Sequence, residues 1–423
     1  MKILVIGSGG REHAIIRKLL ESPKTEKIYC APGNGGIACD AECVPLSPMD
    51  LDGVVRFAAE QKIDLVFVAP DDPLAAGMVD ALQNAGIPAF GPCAAAAEIE
   101  SSKVFSKNLM KKYGIPTADY AVFSDPADAL RYIREQDRYP TVVKADGLAL
   151  GKGVLICANE AEATAALHSI MEDKVFGSAG SRVVVEEFLT GPEVSVLAFT
   201  DGTAMKPMVA SKDHKRALDH DQGLNTGGMG TISPNPYYTD ALAAECMETI
   251  FLPTMHAMNA EGRTFRGCLY FGLMLTPDGP KVIEYNARFG DPETQVVLPR
   301  LKTDLVEILL AIVEGRLSDL DIEWHDGAAA CVVMASGGYP GSYPKGIPIT
   351  GLSENGQLPG GETVVYHAGT AQKDGQFVTA GGRVLGVTAL GKTLDEALQK
   401  AYAGVSQIHF DGAHYRRDIG KIS

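Results

Sequence analysis

Cysteine chemistry is the first thing this sequence lacks. Its eight cysteines (Cys30, Cys39, Cys43, Cys93, Cys157, Cys246, Cys268 and Cys331) include no C-x-x-C, and no pair of histidines stands at zinc spacing. Cys39 and Cys43 are close, but no further ligand completes a site. The pattern argues against a zinc module or disulfide scaffold and for small buried thiols in a reducing compartment. A surplus of positive charge is also missing. The formal net charge is −15, which argues against a general nucleic-acid or anionic-membrane binder, so neither partner is expected. A local basic pocket for a phosphorylated small molecule remains compatible with it. No apolar run approaches the length of a membrane span. The opening MKILVIG reads as a strand, without the basic region, long apolar run and cleavage site of a secretory leader. A cytoplasmic location is therefore expected.

What is present is the composition of a multidomain globular protein: 423 residues, 46% hydrophobic and 22% charged, too long for one ordinary core and sufficient for about two to four domains. Over residues 1–101, KILVIGSGGREHAIIRKLL reads as strand, glycine turn and helix. KIYCAPG and DLVFVAP are apolar runs ended by turns, with helical stretches DLDGVVRFAAEQ and PLAAGMVDALQNAG between and after them. This alternation predicts a parallel sheet with crossover helices, whose ligands lie at the carboxyl ends of the strands. Gly7, Gly9 and Gly10 invite a dinucleotide reading, but Glu12 stands where the third glycine of G-x-G-x-x-G belongs, and no acidic ribose ligand follows at the expected distance. Two readings survive: a helix N-terminus holding one phosphate with help from Arg11, or a tight turn and nothing more.

In the middle region, TVVKADGLALGKGVLICA is a strand ending at Lys144, a glycine loop (Gly147, Gly151, Gly153) and a second strand. It is not a Walker A loop: only three residues separate the first glycine from Gly151-Lys152, Gly153 replaces Ser/Thr, and a strand follows instead of a helix. A glycine hairpin of this kind can cover a nucleotide with backbone N–H groups and Lys152, or it can simply be a long hairpin. RVVVEEFLTGPEVSVLAFTDG continues as strand, turn, strand. Further on, IEYNARFGDPETQ follows a strand signal. Alternation along that strand would place Glu284, Asn286 and, if the strand continues, Arg288 in one row. A carboxylate, an amide oxygen and a guanidinium together suit Mg²⁺, phosphate and a carboxylate substrate. Taken alone, the row reads first as a solvated surface strand, and the rest of the chain has to overturn that reading.

The order of these segments, SSKVFSK, VVKADGLALGKGV, VEEFLTGPE, then IEYNARFGD, resembles the ATP-grasp superfamily. SKDHKRALDHDQGLNTGGMG, GGREH, APGN, FGDPETQ, MASGGYPG, HAGT and GGRVL narrow the resemblance to the glycinamide ribonucleotide synthetase family over residues 1 to about 420. The resemblance implies an N-terminal parallel α/β (Rossmann-like) domain (1–101), a two-lobed ATP-grasp core (102–326, flap about 119–190) and a small α+β C-terminal domain (327–423). That last domain also reads as strands with one helix, starting at a Thr393/Glu396 capping box. The implied reaction joins glycine to 5-phosphoribosylamine at the expense of ATP, with Mg²⁺ or Mn²⁺, in de novo purine synthesis.

By the same resemblance, Lys103 (Lys107 as second choice) and Lys144 bind phosphates, under a cover formed by Gly147, Gly151, Lys152 and Gly153. Glu186 and Leu189 face adenine and Glu193 the ribose. Glu284 and Asn286 hold the metal. Asp213 and Arg288 take glycine's ammonium and carboxylate, and Gly9, Gly10, Arg11, Asn34 and Asp71 face phosphoribosylamine. Residues 212–230 would close over the intermediate or form a disordered loop. Gly272 stands where many members of the superfamily carry a second metal carboxylate. His367 and Arg383 are expected near the site, in a domain whose role is mainly structural. The expected assembly is a monomer or weak dimer. Two competing readings are another carboxylate–amine ligase and a non-catalytic ATP-binding module.

Overall fold

The computed structural model describes residues 1–148 and 153–421. The N-terminal strands Lys2–Gly7, Lys27–Pro32 and Leu65–Val68 are apolar and buried on both faces, as strands sandwiched between helices must be. They join Glu42–Cys43 and Ala89–Phe90 in a five-stranded parallel sheet. Chain order reverses about Lys2–Gly7, so a crevice opens between its carboxyl end and that of Leu65–Val68. Helix Gly10–Leu20 starts in that crevice. The stretch expected to form a helix over PLAAGMVDALQNAG divides into Asp71–Ala75 and Met78–Asn84. Gly77 between them takes a left-handed φ of 89°, which ends the first helix and caps the second.

Two antiparallel sheets follow. The flap sheet orders Tyr120–Phe123, Val183–Glu187, Thr141–Ala145 and Val154–Cys157. Its inner face, with Val143, Ala145, Val183 and Val185, packs on helices Pro126–Gln136 and Glu160–Leu167 through Ala129, Ile133, Ala163 and Leu167. The second sheet orders Met205–Pro207, Glu193–Thr200, Gly267–Thr276 and Gly279–Asn286.

The C-terminal sheet crosses the boundary expected at 326/327. Strands Ala328–Ala335, Arg383–Gly391 and Thr363–His367 are extended by Gly230–Ser233 and Lys212–Asp213 from the preceding region. The stretch 212–230 therefore starts and ends in strands of the C-terminal sheet and projects as a hairpin, Arg216–Leu218 against Gln222–Asn225. Helix Leu394–Val405 begins where its capping box predicts, with Thr393 accepting from Glu396 N–H. Among the described residues, no helix is long and apolar enough to cross a membrane.

Candidate active site

The row foreseen at residues 284–288 is real for its first two members. Glu284 and Asn286 lie on the strand Gly279–Asn286, two residues apart and so on one face. A bulge at Ile283 sets the register: Gly272 pairs with Glu284, whereas Leu273 pairs with Val282. The strand ends at Asn286, so Arg288 is not placed by the pleat. Glu100, arriving from helix Ala94–Ser101, holds it instead, with Oε1 3.0 Å from Arg288 Nη2. The same carboxyl accepts from Ala287 N–H at 2.7 Å. The amide orientation of Asn286 that satisfies its neighbours adds a bond from its nitrogen to Glu100 Oε1 at 2.9 Å. Burial pushes the Glu100 carboxyl up to about 7 against the opposing pull of Arg288.

Four lysines surround Glu284 and Glu186. Lys103 opens helix Lys103–Tyr113, whose N-cap Ser102 donates to Asp146 at the end of strand Thr141–Ala145. That tie brings Lys103 Nζ to 2.8 Å from the Gly147 carbonyl. Lys144 Nζ lies 2.9 Å and Lys107 Nζ 3.2 Å from Glu186 Oε2. The other oxygen of Glu186 is buried and has no hydrogen-bond partner among the described residues. Burial lowers the ammonium of Lys107 to about 8. Lys215, unassigned in the sequence reading, stands 3.4 Å from both Glu193 and Glu284. Those two carboxylates hold its ammonium well above the usual lysine range, and Lys215, then Lys144 and Lys103, hold Glu284 below the ordinary carboxyl value.

A second acid was also missed. Glu293 is buried, with Oε1 3.1 Å from the Tyr270 hydroxyl. Burial first, and Glu293 second, push the Asp213 carboxyl well up, opposed by Lys215 and Arg383. Beside them, Asp291 accepts from Gln295 and holds the Arg383 guanidinium, which also donates to the Asp291 carbonyl at 2.7 Å. Arg383 thus reaches the site, as HAGT and GGRV suggested. His367 does not: it is fully buried against His13 and Thr370.

On the N-terminal wall, Arg11 points at the same corner, donating to the Phe289 carbonyl at 3.0 Å. Gly9 N–H is taken by Glu12 at 2.6 Å, and Arg11 N–H faces Asp291 at 3.4 Å, so carboxylates already sit on part of this helix N-terminus. Asp71 lies within the field of Arg288 and Glu100. Both amide hydrogens of Asn34 go to the carbonyls of Ser8 and His367, and its oxygen accepts from Gly36 and Ile37. Its visible work is to tie the first domain to the last. Gly147 and Gly153 stand at the two ends of the flap loop, and a Cβ on Gly147 would lie 2.6 Å from that of Ala179. Leu189 follows the strand Val183–Glu187. Gly151 and Lys152 lie outside the described residues.

Lys215 and Glu293 were both inside stretches already singled out, SKDHKRALDHDQGLNTGGMG and FGDPETQ, and could have been found by asking which ionisable residues there had no role. Glu100 ends an alanine-rich helix and carried no signal of its own.

Metal binding can be tested against these donors. Among the described residues, no group of three or more His, Cys, Asp or Glu side chains could hold a metal alone. One carboxylate at Glu284 and one amide at Asn286, beside lysines suited to phosphate, fit an ion that completes its shell with phosphate oxygens and water.

Comparison with known proteins identifies the family. Residues 1–100, 101–294 and 329–422 match the N, ATP-grasp (A) and C domain models of phosphoribosylglycinamide synthetase. The phosphoribosylamine–glycine ligase of Caldanaerobacter subterraneus is 49% identical over 99% of both chains. A trifunctional purine biosynthetic protein of Gallus gallus is 51% identical over 99% of this chain and 42% of its own length. Among solved structures, the Thermotoga maritima phosphoribosylamine–glycine ligase superposes with a TM-score of 0.87 at 34% identity, covering 99% of this chain and 100% of the other. A Hydrogenobacter thermophilus biotin carboxylase domain, 18% identical with a TM-score of 0.74 over 98% of this chain and 91% of its own, shares the fold. The chain belongs to the phosphoribosylglycinamide synthetase family.

Proposed function

We infer that this chain ligates glycine to 5-phosphoribosylamine, consuming ATP and releasing glycinamide ribonucleotide, ADP and phosphate, as a step of purine biosynthesis. The observation that carries the chemistry is the convergence of Lys103, Lys144 and Lys215 on Glu284, with Arg288 two residues beyond Asn286.

A free carboxylate is a poor electrophile, so glycine is first phosphorylated to glycyl phosphate. The amine of phosphoribosylamine then attacks the carbonyl and phosphate leaves. No residue need act as a covalent nucleophile. The protein's work is alignment and charge neutralisation. Lys103 and Lys144 hold phosphates. The unpartnered oxygen of Glu186 suits an N–H donor such as the adenine amino group. Glu193, the more exposed of the acids on Lys215, takes the ribose hydroxyls. Arg288 Nε is buried without a partner among the described residues, which suits a carboxylate arriving to complete a fork. Across from it, the confronted acids Asp213 and Glu293 suit glycine's ammonium. Glu284 and Asn286 would hold Mg²⁺, and Mn²⁺ would suit the same donors; the ion supplies charge neutralisation on the transferring phosphoryl group. Phosphoribosylamine is placed along the N-terminal wall, with its phosphate near Gly10 and Arg11. We also place the chain in the cytoplasm, as a monomer or weak dimer.

The test is ADP release with ATP, Mg²⁺, glycine and freshly generated phosphoribosylamine, together with detection of the amide. ADP release that ignores glycine, or other acids replacing it equally well, would remove the assignment. Glu284→Gln should lower kcat roughly a hundred- to thousand-fold, about 3–4 kcal/mol of transition-state stabilisation, while the protein stays folded.

A further inference from the structure

We propose that the segment at residues 414–420 is a latch that holds the hairpin carrying Asp213 and Lys215 in its working position, with Arg416 as the positioning residue at its centre. The inference rests on the ligation reading above and deepens it.

The hairpin is attached to the body at its base, where Lys212–Asp213 and Gly230–Ser233 pair. Beyond that base it meets the C-terminal segment almost entirely through polar contacts. A solvent-open pocket of about 430 Å³, lined by Leu218, His220, His414 and Arg417 among others, lies between them, and the His414 ring meets the Ala217 carbonyl at 2.6 Å beside it. Directed bonds therefore do most of the holding there.

Arg416 is the centre of them. It is one of the largest fully buried side chains in the molecule. Its Nε and Nη2 fork onto Asp418 at 2.8 Å each, which fixes the guanidinium plane. Nη1 then reaches across to the hairpin, donating to Asp221 Oδ1 at 2.8 Å and to the Arg216 carbonyl at 3.2 Å. Asp418 accepts in turn from His220 N–H, and Asp219 from Arg417 N–H, both at 2.8 Å.

These contacts fall on the hairpin's least relaxed point. His220 and Asp221 have φ of 59° and 52°, a left-handed conformation that residues other than glycine adopt rarely and that persists only when surroundings impose it. The latch also reaches the root of the hairpin. Gly420 N–H donates to His214 Nε2 at 3.1 Å, while the other ring nitrogen of His214 faces the Gly230 carbonyl. His214 lies between Asp213 and Lys215, so the ring orients the backbone that carries both. Lys215 in turn meets Glu193 and Glu284 at 3.4 Å each, a separation at which a small shift of the hairpin breaks both pairs.

Arg416 touches no substrate in this account, and its loss should show in one substrate term more than in the others. Arg416→Met should raise KM for glycine about tenfold, a 1.4 kcal/mol effect, through Asp213, and raise KM for ATP by less. Lys103, Lys144 and Glu186 meet ATP from elements the hairpin does not carry, so that only the Lys215 pairs with Glu193 and Glu284 are lost on that side. Amides of residues 214–226 should exchange faster with deuterium, while those of the helix Pro126–Gln136 do not change. Arg416→Lys should recover part of the glycine affinity. Val405→Ala, which opens a cavity in the core of the same domain, serves as the control for general loosening. If it reproduces the kinetic pattern of Arg416→Met, or if folded Arg416→Met keeps the wild-type glycine KM, there is no latch. Should Arg416→Met fail to fold, Asp221→Asn removes only the hairpin end of the pair, and unchanged exchange in 214–226 there overturns the proposal. Failure of the ligation reading is separate: it would appear as wild-type protein without glycine-dependent ADP release, whatever the exchange data show.

Discussion

At the scale of single residues, the site sets like charges against one another and leaves room for cations between them. Asp213 illustrates the cost. Its carboxyl is pushed up by burial and by Glu293, so the ionised form is strained in the folded protein. Neutralising it should relieve that strain and remove a partner of glycine's ammonium at once. Asp213→Asn is expected to leave the melting midpoint unchanged or raise it, and to raise KM for glycine about tenfold. Glu293→Gln should act on the same constant. The double variant should lose less than the sum, because both acids serve one cation. Additive losses measured by steady-state kinetics would show that they serve different ligands.

At the scale of elements, two backbone features decide what the side chains can do. In the strand pair Gly267–Thr276 and Gly279–Asn286, Gly272 faces Glu284, and a Cβ there would come within 3.1 Å of Glu284 Cγ. That contact gives a physical reason for glycine at this position: a side chain would crowd the carboxylate proposed to hold the metal. Gly272→Ala should keep the fold and raise the Mg²⁺ concentration for half-maximal rate several-fold; an unchanged Mg²⁺ titration would show that Glu284 is not the ligand. The second feature is the N-terminus of helix Gly10–Leu20. Glu12 and Asp291 take up part of its donor capacity, and Glu12 also pairs with Arg11 Nε at 2.8 Å, so a phosphate would be met by the remaining N–H groups of the Arg11 guanidinium. Arg11→Ala is expected to raise the apparent KM for phosphoribosylamine by about tenfold, with that for ATP unchanged. An unaffected phosphoribosylamine KM would move the phosphate elsewhere.

At the scale of the whole molecule, the three regions are joined through buried ionisable groups, and these set the response to acid. Burial depresses His214 to about 4 and His367 to about 3, and lowers His13, from an ordinary value of 6.5. A group whose folded value is depressed binds its proton more readily when unfolded. The histidine contribution to stability is therefore complete above pH 6.5 and lost as pH falls towards 4. Glu100 has the opposite sign: raised from 4.5 to about 7, it takes a proton first in the folded state, so acidification from 7 to 4.5 stabilises the fold through this group. Asp213 has the same sign as Glu100, whereas Asp40, Glu284 and Asp291 are held below the carboxyl range and lose stability on acidification with the histidines. The depressed groups outnumber the raised ones and should leave a net loss. Thermal melts are expected to show a falling midpoint from pH 7 to 4, and Glu100→Gln should steepen that fall by removing the opposing effect. A flat profile in the wild type, or a shallower one in Glu100→Gln, would contradict these assignments.

What the sequence determined by itself was everything encoded in short periodic runs and local motifs. The apolar strands around Lys2–Gly7 and Leu65–Val68, the Thr393 cap, the pairing of Glu284 with Asn286 and the order of lysines and glycines all depend on neighbours a few residues away. The ordered series of motifs was also enough to indicate the family. Tertiary structure alone decided the rest. Arg288 is set by Glu100 from a distant helix, Lys215 by two acids on different strands, and the hairpin that carries it by the C-terminal sheet and Arg416. Each of these depends on bringing charges together over long chain separations and withdrawing them from water. Sequence spacing cannot register that, because the energy of a buried charge is set by which partner arrives and how much solvent it displaces.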